Sequence, residues 1–168
     1  KMPADGYTLL LGETGQLVIA PHIHKSLPYD PLKDLAPVAR VTTDPMILVS
    51  NSKSSIKTIQ DLMREAKANP GLINYGSSGI GTIHHISMEV FKSDAGLDIV
   101  HIPYKGSGQS IPAILAGDVS VLVTTVTAVG PHIRSGALNL LAVTSPSRLP
   151  SFPKVPSITE FIKGYDYS

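Results

Sequence analysis

The chain has 168 residues, 42% hydrophobic and 16% charged, which places it among folding globular chains and not among disordered ones. Fourteen basic residues against 13 acidic ones leave a net charge of +1, without the basic stripe of a nucleic-acid surface. Cysteine is absent, which excludes disulfides and cysteine zinc sites, and no apolar run reaches the ~18 residues of a membrane-spanning helix.

In chain order, Tyr7 to Leu11 follows a DG turn and predicts a short buried strand, with GETGQ as the loop at its carboxyl end. LVIAPHIHKSL predicts a short helix broken at Pro21. LPYDPLKDLAPVARV is punctuated by proline and predicts a loop with one helical turn. Pro45 to Ser50 is a strand. Ser55 to Asn69 is a helix, with Ile56, Ile59, Leu62, Met63 and Ala66 on one stripe and NPG closing it. LINYGSS is a strand running into a loop. Thr82 to Lys92 is a helix with Ile83, Ile86, Met88, Val90 and Phe91 as its apolar set. DIVHIPY is a strand, Ser110 to Ala116 a short helix ended by Gly117, and VSVLVTTV a β-branched strand. Pro131 to Ser135 starts a further helical turn, LNLLAVTS is a strand, and the proline-rich tail carries one helical signal, SITEFI.

Strands therefore alternate with helices from Pro45 to Ser145. The strands are continuous apolar runs, which predicts an α/β domain on a parallel sheet covered on both faces. In such sheets ligands sit at the carboxyl ends of strands. GSSGIGT and YKGSGQS both occupy that kind of loop. The first precedes a helix, whose N-terminus favours an anion. Ser77, Ser78 and Thr82 add hydroxyls, and Gly79 and Gly81 allow N–H groups to approach a carboxylate or phosphate. The same residues also suit a tight turn with a serine cap. Tyr104 serves equally as a site wall or a core residue, and Lys105 as distant charge or a solvated side chain.

Neither a GxGxxG fingerprint nor a GxxxxGK[ST] phosphate loop is present. His22 and His24 form HxH with no evident further ligands nearby, so no metal is expected. His84 and His85 point about 100° apart on a helix, so only one can face a site. HExxH and GxSxG are absent, and no Ser–His–Asp trio stands out, so catalysis and a cofactor are not expected. The rival is a small-molecule enzyme that uses GSSGIGT as an anion cradle.

ADGYTLL, LPYDPLKDLAPVA, AKANPG, INYGSSGIGTIHH, HIPYKGSGQSIPAILAGDV, GPHIRSGALNLLAVTSPSR and FPKVPSITEF, taken together and in this order, resemble the Bug family, the extracytoplasmic solute receptors of tripartite tricarboxylate transporters. The resemblance implies a bilobed periplasmic-binding-protein fold of type II-like plan. It implies a periplasmic protein that closes on a small organic acid (a di- or tricarboxylate, or an aromatic acid) and hands it, unchanged, to membrane components. It further implies a chain lacking parts of the first lobe and its signal peptide. Residues 1–43 would be first-lobe remnant, 44–145 the second, ligand-binding lobe, and 146–168 a crossover back. The opening strand would lack neighbours, with self-association as a consequence.

The family's ligand loops match Ser77, Ser78, Gly79, Gly81 and Thr82, with His85 beside them, then Tyr104, Lys105, Gly106 and Ser107, and on the first lobe Thr14, Gly15 and Gln16. Many members read GQVDLMFD where this chain reads GDVSVLVT, which puts Thr124 where an aspartate is common. That departure favours a simple carboxylate over an amino acid.

Overall fold

The structure is a computed structural model that describes residues 3 and 5–165. The chain forms two compact units, residues 1–39 and 40–168. The outermost parts of the predicted opening and closing segments, residues 1, 2, 4 and 166–168, lie outside the described residues.

The smaller unit buries none of its described residues fully. The strand expected over Tyr7 to Leu11 does not form. Tyr7, Leu9, Leu10 and Leu11 lie open to solvent, Tyr7 at 92% exposure. A strand exists only where a neighbour takes its N–H and C=O groups, and no described residue pairs with this run. The loop expected at GETGQ is also replaced, by a π-helical turn over Gly15–Ile19 that runs straight into α1 (Ala20–Ile23). Pro21, read as a helix breaker, sits in the first turn of α1 and does not interrupt the helical run that enters it from Gly15. The expected helical turn appears at Asp30, whose carbonyl accepts the N–H groups of Lys33 and Asp34 at 3.2 and 2.7 Å.

The larger unit is a three-layer α/β domain. Its strands are β1 (Met46–Asn51), β2 (Asn74–Ser77), β3 (Val100–Pro103), β4 (Val121–Thr125) and β5 (Leu138–Val143), in the spatial order β3-β2-β4-β1-β5. β2 runs parallel to β3 and β4, but β1 is antiparallel to both β4 and β5. The sheet is therefore mixed, not all-parallel. Met46 and Leu48 enter one core with Tyr75, Met88 and Phe91; Ile47 and Val49 enter the other with Ile114, Leu122 and Val129. A strand buried on both faces reads as one apolar run whichever way it points, so direction leaves no mark in composition.

Helices α2 (Ile59–Ala68) and α3 (Ile83–Ala95) cover one face, α4 (Ser107–Ala116) and α5 (Val126–Arg134) the other. α2 starts later than the Ser55 expected, because Thr58 and Asp61 form a reciprocal capping box. α4 starts earlier than Ser110. Pro131, read as a helix start, lies inside α5, where it forgoes one intrahelical hydrogen bond. The tail does not leave this unit within the described residues. Ser157 bridges Val143, caps the 3-10 turn Ile158–Glu160, and leads Ile158, Ile162 and Tyr165 into the α2–α3 core.

Candidate functional site

Parallel pairing aligns the carboxyl ends of β2 and β3, with Ser77 opposite Pro103. The two glycine-rich loops consequently leave the same edge of the sheet side by side. The Tyr104 N–H donates to the Ser77 carbonyl at 3.1 Å, and the Gly106 N–H to the Ser78 carbonyl at 3.2 Å. β4 ends at the same edge and leads into α5. Antiparallel β1 begins there, so Asp44, just ahead of it, accepts a 2.5 Å hydrogen bond from the Thr127 hydroxyl, which in turn meets Thr125 Oγ1 at 3.0 Å. Two surface hollows, one bounded by Met63, Asp94 and Phe161 and one by Asn51, Gly117 and Ser120, lie away from this edge.

The loop's donors are mostly committed to the protein itself, contrary to the expectation that Gly79 and Gly81 aim their N–H groups at a ligand. The Gly79 N–H donates to Ser77 Oγ at 3.1 Å and the Gly81 N–H to His85 Nδ1 at 3.2 Å. Both glycines have positive φ, +132° and +77°, a backbone that residues with a side chain rarely adopt. The hydroxyls are taken too. Ser77, fully buried, meets His101 Nε2 at 2.7 Å, and Ser78 meets His84 Nδ1 at 2.6 Å. Thr82 caps α3 by accepting from the His85 N–H and donates to the Gly79 carbonyl at 2.7 Å. In the first turns of α3 and α4 the His85 N–H is taken by Thr82 Oγ1 and those of Gln109 and Ser110 by the Gly106 carbonyl, while helix geometry gives the N–H groups of Ile83, Ser107 and Gly108 no acceptor within their helices.

In the second loop, Tyr104 packs against the α4–α5 core, and burial pushes its hydroxyl above the ordinary tyrosine value. Lys105 is exposed and, among the described residues, its ammonium makes no ion pair; its backbone N–H donates to Gln109 Oε1 at 3.0 Å. Gly106 is the N-cap of α4, and the Ser107 hydroxyl has no hydrogen-bond partner among the described residues. Thr124 is 2% exposed, inside β4 opposite Ile47, so Thr125 and Thr127 are the hydroxyls that this edge presents. Ser120, the other departure from an acid, binds the Asn74 side chain at the opposite end of the sheet. Thr14, Gly15 and Gln16 belong to the smaller unit, where the Gln16 carbonyl accepts the Tyr29 hydroxyl at 2.7 Å.

Behind the loops lies a cluster that sequence reading missed. The His101 ring is sandwiched between Tyr75, with centroids 4.6 Å apart, and His85, at 4.3 Å. The Tyr75 hydroxyl donates to Glu89 Oε1 at 2.6 Å, and Lys92 Nζ pairs with the same oxygen at 2.7 Å. Burial drives His101 down to about 4, helped by its neighbour His85, and burial also lowers His85. Burial pushes Glu89 up, but hydrogen bonds from Lys92 and Tyr75 outweigh it and hold the carboxyl below its ordinary value. Burial and Glu89 together raise Tyr75. His101 sits inside a strand read only for its apolar neighbours. The signal that could have found it is register: the parallel loops force position 101 beside Tyr75. Among the described residues, no group of three or more His, Asp or Glu side chains is placed to hold a metal ion.

The family model described as tripartite tricarboxylate transporter family receptor matches residues 1–168. BugT of Bordetella pertussis is 38% identical over 161 residues, covering 95% of this chain and 49% of its own. The R. palustris protein Rpa4515, solved with adipate, superimposes with a TM-score of 0.93 at 32% identity, covering 99% of this chain and 56% of that one. The periplasmic binding protein BugD superimposes with a TM-score of 0.68 at 27% identity, covering 73% and 42%. The chain spans about half the length of the curated relatives it matches.

Proposed function

Because the chain belongs to the tripartite tricarboxylate transporter receptor family, we propose that it serves a periplasmic receptor that captures a small carboxylate-bearing solute and passes it on unchanged to membrane transport components. The observation that carries this reading is the hydrogen-bonded pairing of the two glycine-rich loops on one sheet edge. A solute carboxylate is held there by the N–H groups of Ile83 at the start of α3 and of Ser107 and Gly108 at the start of α4, the Ser107 hydroxyl and the charge of Lys105, with Tyr104 as a wall. Ser78, Gly79, Gly81, Thr82 and Gly106 shape this surface, and Ser77 braces it from inside.

Charge-assisted hydrogen bonds contribute roughly 1.5–3 kcal/mol each, and micromolar affinity corresponds to about 8 kcal/mol. Several convergent donors are therefore required, and those left for a solute are the N–H groups of Ile83, Ser107 and Gly108, the Ser107 hydroxyl and the Lys105 ammonium. Thr124 in place of an acid argued against a ligand ammonium, but Asp44 restores a carboxylate to the same edge. The solute panel accordingly includes amino acids beside adipate and other dicarboxylates. Isothermal titration against that panel, followed by mass spectrometry of the recovered ligand, tests the proposal. Saturable binding of an organic acid recovered at unchanged mass is the expected result. Release of a chemically altered acid, or affinity untouched when Lys105 and Ser107 are both replaced by alanine, would contradict it.

A further inference from the structure

The Gly79 and Gly81 N–H groups, expected to meet the ligand, instead end on one structure. Gly81 hangs directly on His85 Nδ1 at 3.2 Å. Gly79 hangs on Ser77 Oγ at 3.1 Å, and that oxygen is held by His101 Nε2 at 2.7 Å. The two rings are stacked 4.3 Å apart at 20°. One ring comes from α3 and the other from β3, so the stack ties together the elements from which both loops spring.

We propose that the stacked pair His85–His101 is the positioning device of the solute loop, holding Gly81 directly and Gly79 through Ser77, and that it works only with both rings neutral. The chemistry is specific. Nδ1 of His85 accepts a hydrogen bond, which a protonated imidazole cannot do. Two imidazolium rings at this separation also repel each other. The groups facing the pair are Glu89 and Lys92 from α3 and Tyr75 from β2. The Glu89 carboxylate already shares one oxygen between Lys92 and Tyr75, so its charge is largely spent on them. Burial depresses both histidines, which agrees with a neutral stack at pH 7. On acidification the His85 acceptor is lost, Gly81 is released, and the first turn of α3 no longer presents a fixed surface.

This inference rests on the solute-receptor reading, and the experiment separates the two. In the intact chain, amide exchange of Gly79 and Gly81 is followed by NMR from pH 7 to pH 4.5, and adipate affinity is measured over the same range. The wild-type chain is compared with His85→Asn, which keeps an acceptor near the Nδ1 position without a titrating group, and with His85→Ala, which removes it. Wild type is expected to lose Gly81 protection and about tenfold in affinity as pH falls below the ordinary imidazole range. His85→Asn stays flat apart from the titration of adipate itself, and His85→Ala is weak throughout. Gly81 protection unchanged while His85 titrates, or a wild-type profile that matches His85→Asn, overturns the positioning role. pH-dependent glycine protection without binding of adipate or any other acid in the panel supports the positioning role and counts against the receptor reading instead. A His85→Ala chain that fails to fold is covered by the Asn variant and the wild-type glycine signals.

Discussion

At the scale of single residues, Gly76 shows why the loop pair depends on what lies beneath it. A Cβ at this position would come within 3.0 Å of Leu122 Cδ1, 3.3 Å of Tyr104 Cε2 and 3.4 Å of Val119 Cγ2. The missing side chain thus lets the Tyr104 ring settle over β2. Gly76→Ala is expected to cost about 1–3 kcal/mol through overpacking, read as a lower urea midpoint, and to weaken solute binding by displacing Tyr104. A stable variant with unchanged affinity would show that Tyr104 is not part of the site. His101 has its own consequence for stability. Its folded value is lowered to about 4, chiefly by burial. Below about 6.5 the unfolded chain binds a proton that the folded chain refuses, so stability is full above that pH and declines as acid is added toward 4. Urea melts at pH 7.5 and pH 5 should show the decline, and His101→Gln should reduce it.

At the scale of elements, the alternation of strand, loop and helix was legible because each strand is a dense apolar run and each helix has one apolar stripe. GSSGIGT and YKGSGQS could be placed on strand-to-helix loops for that reason, and the structure sets them side by side. The direction of β1 was illegible, since both of its faces are buried and reversing it exchanges neither. That reversal has functional weight, because it brings Asp44 to the edge where β4 ends. The fate of the loop's N–H groups was also hidden: it depends on the turn that brings His85 Nδ1 back to Gly81 and on His101, which lies far along the chain from the Ser77 hydroxyl it holds. Helix starts follow caps more closely than apolar periodicity, as Thr58 and Asp61 show in α2. Thr58→Ala should cost about 1 kcal/mol in a denaturant melt. Asp44→Asn removes a carboxylate from the rim of the proposed site and should raise affinity for dicarboxylates relative to monocarboxylates of the same length. An unchanged ratio would place Asp44 outside the field of the solute.

At the scale of the whole molecule, the two units differ in kind. Among the described residues, both apolar cores are built from residues between Met46 and Tyr165, while those of 1–39 contribute no fully buried side chain. The larger unit covers its own sheet on both faces, caps α2 and α3 with threonine side chains and brings Tyr165 to its core, with the Tyr165 hydroxyl donating to the Ser87 carbonyl at 3.0 Å. The burial that stabilises it thus lies within the unit itself. The smaller unit instead presents Tyr7, Leu9, Leu10, Leu11 and Leu32 to solvent, all at 64% exposure or more, and contiguous apolar surface of that sort favours association. Residues 40–168 alone should unfold at a urea midpoint matching that of the whole chain, within the roughly 0.5 kcal/mol typical of surface changes. In sedimentation velocity the same truncation should run as a monomer at concentrations where the whole chain self-associates. If residues 40–168 melt early, the two cores of the larger unit do not by themselves set its stability. If both forms sediment alike, the exposed run from Tyr7 to Leu11 is no adhesive.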